Sequence, residues 1–163
     1  MLVPIACAII SWWLGQDISW DIQNYHLYNP YAFLNDRQQL DLVPAGMQSQ
    51  FVPFIDLFWF GLVKSLSPPV VGIIMGGLHG LNFVLLLFIA RRLLPVGRGL
   101  TALAWVAALL GLLSVGFRSE LGTGMQDNLV ALFMLGSLLT VLNAADDSMP
   151  VMSVKKIFIA GLL

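Results

Sequence analysis

The chain has 163 residues, of which 58% are hydrophobic and 10% are charged, whereas soluble globular domains carry about 25% charged residues. A domain of this size leaves much of its surface exposed, so the composition excludes an ordinary soluble domain and predicts that apolar side chains face lipid. The net charge of −1 provides no basic field, which excludes nucleic acid as a partner.

The first apolar run covers residues 1–15 and includes Cys7, the only cysteine, so a disulfide framework is excluded. As a helix rising about 1.5 Å per residue it is about 21 Å long, shorter than the roughly 30 Å hydrocarbon core of a bilayer. We predict a membrane span that either begins upstream or is completed by Trp12 and Trp13 at the interface. A cleaved signal peptide is the less favoured alternative, because no basic segment precedes the run.

Further apolar runs predict membrane spans at residues 70–90, 99–117 and 129–144, and the first part of another span at residues 157–163. We therefore expect a single transmembrane domain over residues 1–163 that continues beyond the last of them. Cytoplasmic loops carry an excess of Lys and Arg. Two basic clusters are therefore predicted to be cytoplasmic: Arg91 with Arg92 and Arg98, and Lys155 with Lys156.

The segment between the first two spans, residues 16–69, is predicted to be a long outer loop. Its first part carries four acids, Asp17, Asp21, Asp36 and Asp41, against one base, Arg37. In the same part, Asn29 followed by Pro30 is typical of a helix start, which predicts a short helix over residues 30–36. Its apolar side chains would dip into the membrane surface: Tyr31, Phe33 and Leu34.

Residues 51–66 form an apolar run within this loop that we predict not to cross the membrane. If it crossed, the arginine cluster would fall outside, against the positive-inside rule. Pro53 begins the run, and Asp56 and Lys64 interrupt it, which is typical of a helix lying in the interface. The alternative is an ordinary short span that breaks the charge rule.

Three polar residues of the outer loop form the pattern D-x-x-x-Y-H, namely Asp21, Tyr25 and His26. On a helical turn Tyr25 lies on the same face as Asp21, with His26 beside it. A carboxylate at the membrane surface can accept a proton from a hydroxyl group or hold a divalent cation. The alternative is that Asp21 only caps the turn and His26 is a solvated interface residue.

The second outer loop, residues 117–128, holds Arg118 and Glu120, which are expected to form at most a weak surface pair. Asp127 stands where the next span enters the membrane, either as an ordinary helix cap or facing the first loop. Gly122 and Gly124 permit a close backbone approach, as an anionic ligand would need.

Within the predicted span 70–90, Gly72, Gly76 and Gly80 repeat every four residues. Such a stripe of small residues lets another helix pack closely. His79 and Asn82 fall near the same face, and polar groups in a span point into the bundle. We predict that these two residues form interhelical hydrogen bonds, although a functional role is the alternative.

Together these features resemble the C superfamily of glycosyltransferases (GT-C), polytopic membrane enzymes that use polyprenyl-phosphate-linked sugars. The stretch WDIQNYHLYNPYAFLNDR, followed by PAGMQSQFVPFIDLFWF, is also similar to a group of bacterial membrane proteins related to that superfamily. The resemblance implies an all-α, polytopic transmembrane helix bundle of the bacterial inner membrane, with interfacial helices in the first outer loop. It implies an enzyme that moves a sugar from a polyprenyl-phosphate donor to an acceptor at the outer face.

By this resemblance Asp21 and Asp127 match the catalytic acids, which are also the expected ligands of a divalent cation, Mg²⁺ or Mn²⁺. The chain departs from the family in that Ile22 follows Asp21, where a second acid is common. Tyr25 and His26 are expected to orient the substrate or the acid.

The leaving lipid phosphate needs a positive partner, and Arg118 is the candidate for that role. Two other classes of function stay open. A transporter or flippase bundle would depend on polar groups near mid-membrane, such as His79 and Asn82. A structural membrane subunit would depend neither on these residues nor on Asp21.

Overall fold

The computed structural model describes residues 2–41, 45–95, 97–145 and 161, and all regular structure in these ranges is helical. The predicted all-α class is therefore confirmed for this part of the chain, and the predicted run 157–163 lies outside it except for residue 161. The helices are α1 (Leu2–Leu14), α2 (Tyr28–Leu34), α3 (Phe54–Ser65), α4 (Pro68–Leu93), α5 (Arg98–Leu112), α6 (Val115–Ser119) and α7 (Asp127–Ala145), with a π-helical turn at Ile22–His26 and a 3₁₀ turn at Gly46–Gln50.

The central helix is α4, and α1 packs against its glycine stripe in the antiparallel direction. Near the end of α1, the Ser11 hydroxyl donates to the Gly72 carbonyl over 2.7 Å. A Cβ added at Gly80 would lie 2.6 Å from the Cα atom of Pro4, near the beginning of α1. Between them, a Cβ at Gly76 would lie 2.5 Å from the Ser11 Cβ. The prediction that the stripe admits a closely packed helix is confirmed, and that helix is α1.

Helix α5 also runs antiparallel to α4. The Arg91 guanidinium, near the end of α4, stands 5.9 Å from the ring centroid of Trp105 in the first half of α5. Leu86, one turn earlier in α4, meets Gly111 near the end of α5. The two helices therefore form a hairpin, and the loop that connects them lies at one end of the bundle.

Helix α7 runs parallel to α4. The Asn82 side chain donates to the carbonyl of Asn128, at the beginning of α7, over 2.8 Å. Farther along both helices, Phe88 and Leu139 line a common groove. We name the two ends of the bundle. The acidic end is where α1 ends and α4 and α7 begin, and the basic end is where α4 ends and α5 begins.

Helix α3 packs at the acidic end. Trp59, in the middle of α3, is only 4% exposed and packs with Val71 and Met75 of α4 and Leu129 of α7. Because α1 and α4 are antiparallel, the chain between them leaves and re-enters the bundle at the same end. That residues 51–66 do not cross the membrane, and on which side they lie, stays a prediction.

Two helices, α4 and α7, are long and apolar enough to cross a membrane, judged by length and composition. Helices α1 and α5 are apolar but shorter. The expected continuous span over residues 99–117 is wrong as a single helix, because α5 ends at Leu112 and α6 follows. The Ser114 hydroxyl accepts a hydrogen bond from the Phe117 N–H over 3.3 Å, so its side chain caps α6 and competes with helix continuation.

The predicted helix over residues 30–36 begins earlier, at Tyr28, and ends at Leu34. Asn29 is not its cap: the side chain is 1% exposed, and its amide donates to the Gln48 carbonyl over 2.9 Å. The preceding π-helical turn runs directly into α2, since the Leu27 N–H already donates to the Ile22 carbonyl. Three side chains of α2 remain exposed, as a helix at a membrane surface requires: Tyr31, Phe33 and Leu34.

Replacing Gly76 with Ala should lower the free energy of unfolding by about 1–3 kcal/mol, because the new methyl group would force α1 away from α4. Gly77→Ala is the matched control, since its Cβ would meet only the Ala8 Cβ at 3.8 Å and both changes gain the same helix propensity. Denaturant unfolding in detergent micelles measures both variants. Equal stabilities of the two variants would contradict the close α1–α4 contact.

Candidate functional site

A buried histidine–aspartate pair lies at the acidic end. The His26 Nδ1 atom of the π-helical turn stands 2.7 Å from the Asp56 Oδ1 atom of α3. His26 is 5% exposed and Asp56 is 2% exposed. The alternative in which His26 is a solvated interface residue is therefore wrong. Sequence reasoning did not identify Asp56 as a site residue, although a lone acid in the apolar run 51–66 was a signal for it.

Local structure explains how this pair is positioned. The π-helical turn is closed by the hydrogen bond from the Leu27 N–H to the Ile22 carbonyl, five residues back. Ile22 is 1% exposed and packs against Trp59 of α3 in the same apolar cluster. This anchor turns His26 inward, and Asp56 lies in the first turn of α3, where the helix dipole stabilises a negative charge.

The Tyr25 hydroxyl is paired with the Asp21 carboxylate. Burial raises the pKa of Tyr25, and the charge of Asp21 and a hydrogen bond to Asp21 raise it further. The charges of Asp56 and Asp127 raise this pKa by smaller amounts. Asp21 and Tyr25 thus have the pairing that their spacing predicts for one helical turn.

Rings on two sides hold the aromatic part of Tyr25. Its centroid is 4.3 Å from that of the His26 ring and 6.5 Å from that of Phe51, which stands edge-on. Tyr25 and His26 are neighbours in sequence, and in the π-helical turn their rings lie against each other.

Glu120 and Asp127 form a second acidic pair. Burial raises the pKa of Glu120 to about 7, and the hydrogen bond and charge of Asp127 raise it as well. The charge of His26 and the backbone N–H of Asn128 act in the opposite direction. Near neutral pH the Glu120 carboxyl is therefore partly protonated, and its proton can form the hydrogen bond to Asp127. A groove of about 420 Å³ between α5 and α7 reaches the pair, with Leu86 on its floor.

The structure does not bring Arg118 to these carboxylates. Its side chain is exposed and lines a different groove, between α1 and α6, together with Ile10 and Leu14. Within the described ranges no ion pair joins Arg118 to Glu120. The break before α6, which the sequence did not predict, places the two side chains on different sides of that short helix.

The two glycines of the second loop serve packing. Gly122 has a φ of +78°, and a Cβ there would overlap the Ser11 hydroxyl. A Cβ at Gly124 would lie 2.5 Å from the Trp59 ring. The close approach that these glycines permit is therefore made by Ser11 and Trp59, and an anionic ligand at their backbone stays a prediction.

Polar residues of α4 fix the second loop and the beginning of α7. His79 Nδ1 accepts from the Gly122 N–H over 3.1 Å, and the Asn82 amide donates to the Asn128 carbonyl. The Asn128 amide in turn donates to the Phe117 carbonyl over 3.2 Å. The prediction of an interhelical hydrogen bond is confirmed for Asn82, whereas His79 accepts from Gly122 in the second loop. These bonds hold Asp127, the neighbour of Asn128, in place.

In the part of the chain that the structure describes, no group of three or more His, Cys, Asp or Glu side chains could hold a metal ion. The carboxylates are instead paired, Asp21 with Tyr25, Asp56 with His26, and Asp127 with Glu120. Proton transfer is the chemistry that such pairs offer. The role of Asp21 and Asp127 as ligands of Mg²⁺ or Mn²⁺ stays a prediction.

Comparison of this chain with protein-family models, with curated proteins and with solved structures finds no significant match. The resemblance to the GT-C superfamily therefore depends on the sequence stretches around Asp21 and Asp56. The geometry of the acidic end is an independent basis for a functional proposal.

Replacing Glu120 with Gln should flatten the dependence of stability on pH. Because the pKa of Glu120 is raised, its protonated carboxyl contributes its full stabilisation at pH values below the ordinary pKa of 4.5. This contribution is lost as the pH rises through about 7. Gln is neutral throughout and still donates to Asp127. Melting temperatures in micelles between pH 4.5 and 8 should fall less for this variant than for the wild type.

The control for that experiment is Asp36→Asn, which removes one negative charge from an exposed turn of the first loop. It should keep the wild-type slope of melting temperature against pH. If Glu120→Gln also keeps that slope, the proton shared with Asp127 does not contribute to stability.

Proposed function

We propose that this chain belongs to a polytopic bacterial membrane glycosyltransferase, which moves a sugar from a polyprenyl-phosphate donor to an acceptor hydroxyl at the outer face. The observation that carries the proposal is the pairing of Asp21 with the Tyr25 hydroxyl, beside the buried His26–Asp56 pair. This cluster stands at the acidic end, where α4 and α7, both long and apolar enough to span, begin. The reacting phosphate of a lipid-linked sugar lies at the same level of a membrane.

Asp21 is the proposed general base. As the acceptor oxygen attacks the anomeric carbon, Asp21 takes the hydroxyl proton, and the bond from the anomeric carbon to the phosphate oxygen breaks. The electron pair of that bond leaves with the lipid phosphate. Tyr25, which is hydrogen-bonded to Asp21, orients the carboxylate and the incoming hydroxyl.

Two grooves flank α6, and one of them reaches a carboxylate pair. The groove between α5 and α7 ends at Glu120 and Asp127, where the protonated Glu120 carboxyl can hydrogen-bond a neutral acceptor. The groove between α1 and α6 contains Arg118, on the other side of α6. In the proposal Asp127 acts on the acceptor, and Arg118, which stands apart from these carboxylates, is not assigned to the leaving group.

Replacing Asp21 with Asn in the full-length protein should reduce sugar transfer by about 10²–10⁴-fold, the usual contribution of a general base. Transfer is measured in proteoliposomes from labelled polyprenyl-phosphate sugars to extracted membrane lipids. Asp17→Asn is the matched control, because Asp17 lies four residues earlier and accepts from the Ser19 N–H instead. Full activity of Asp21→Asn would exclude the role assigned to Asp21.

A transporter or flippase bundle is the second candidate, favoured by buried polar atoms inside α4. His79 Nε2 and Asn82 Oδ1 have no hydrogen-bond partner among the described residues. Comparing His79→Ala with Asp21→Ala in one proteoliposome preparation separates the two functions. Loss of lipid translocation in His79→Ala alone favours the transporter, whereas loss of sugar transfer in Asp21→Ala alone favours the enzyme.

A further inference from the structure

The His26–Asp56 pair is buried more completely than an ordinary ion pair. It joins residues thirty positions apart, at 2.7 Å, with both side chains at most 5% exposed. A buried carboxylate is costly unless a partner compensates its charge, and removing one partner of such a pair is strongly destabilising. The pair therefore fixes the orientation of the His26 ring, since Nδ1 is held towards α3.

The fixed ring of His26 in turn contacts Tyr25. The two ring centroids are 4.3 Å apart with an interplanar angle of 38°, and Phe51 closes the other side of the Tyr25 ring. The charge of His26 also lowers the pKa of Glu120 in the second loop, so the pair is electrostatically linked to that loop. A continuous series of contacts thus runs from Asp56 through His26 and Tyr25 to Asp21.

We propose that Asp56 and His26 are positioning residues, which hold the Tyr25 ring so that its hydroxyl binds the Asp21 carboxylate and orients it towards the hydroxyl group of the acceptor. This inference rests on the proposed function for the identity of the acceptor. Tyr25 donates its proton to one oxygen of Asp21, which leaves the other carboxylate oxygen to take the proton of the acceptor hydroxyl. Neither His26 nor Asp56 gains or loses a proton in this role, and both act through the ring contact.

The π-helical turn is the feature that makes this arrangement possible. An extra residue in the turn lets the consecutive residues Tyr25 and His26 place their rings against each other, and π-turns occur frequently at functional sites. The ring contact needs an aromatic side chain at position 26 and does not need its nitrogen atoms. The nitrogen atoms are needed only because Nδ1 contacts the Asp56 carboxyl group.

The test is a pair of double variants that replace the buried pair by apolar side chains. His26→Phe with Asp56→Leu keeps a ring against Tyr25 and leaves no unpaired buried charge, whereas His26→Leu with Asp56→Leu is equally apolar but lacks the ring. Replacing a buried ion pair by apolar residues is often neutral for stability, so both are expected to fold. The single variant Asp56→Ala leaves His26 without its partner.

Two readouts are measured on the full-length protein. One is sugar transfer in proteoliposomes, and the other is the ¹⁹F NMR spectrum after incorporation of 3-fluorotyrosine, with the Tyr25 signal assigned by Tyr25→Phe. The ring-keeping variant should retain the wild-type Tyr25 signal and transfer within about threefold. The ringless variant and Asp56→Ala should shift that signal and lose about tenfold or more in transfer, since a misplacement of about 1 Å can cost 10²-fold.

Two results would overturn the proposal. An unchanged Tyr25 signal in the ringless variant would show that His26 does not position the tyrosine. A ring-keeping variant with a wild-type Tyr25 signal but no transfer would show that the imidazole acts chemically, as a base. If the wild-type protein transfers no sugar, the proposed function fails, while the NMR comparison still decides whether His26 and Asp56 position Tyr25.

Discussion

Close packing of α1 on the glycine stripe of α4 determines where every other element lies. The stripe admits α1 only because a Cβ at Gly76 or Gly80 would meet α1 within 2.7 Å. The two helices are antiparallel, as the contacts of Ser11 near Gly72 and Pro4 near Gly80 establish. The fifty-odd residues between them must therefore leave and return at the same end, where α3 packs against the beginning of α4.

The acidic site forms because the chain between α1 and α4 returns to the same end of the bundle. With α3 at the acidic end, Asp56 reaches His26, and the hydrogen bonds of His79 and Asn82 hold the second loop and the first turn of α7 nearby. Asp21 then pairs with Tyr25 beside the His26–Asp56 contact, and Asp127 pairs with Glu120. Burial raises the pKa of Glu120 to about 7, which is the electrostatic condition for acid–base chemistry at neutral pH.

Features that depend on local spacing could be predicted from the sequence. The repeat of Gly72, Gly76 and Gly80 and the pairing of Asp21 with Tyr25 both follow from the period of a helix. The partner of His26 could not be predicted, because Asp56 is thirty residues away and the contact needs the tertiary return of α3. The position of Arg118 also escaped prediction, because the Ser114 cap turns α6 away from the axis of α5.

The most direct test of the account is the side of the membrane on which α3 begins and ends. In a Cys7→Ser background, single cysteines replace three exposed residues: Asp36 before α3, Ser67 after it, and Gly97 between α4 and α5. A membrane-impermeant maleimide added to intact cells should label Asp36→Cys and Ser67→Cys equally, and Gly97→Cys only after permeabilisation. Protection of Ser67→Cys together with labelling of Asp36→Cys would mean that α3 crosses, and it would separate Asp21 from Asp127.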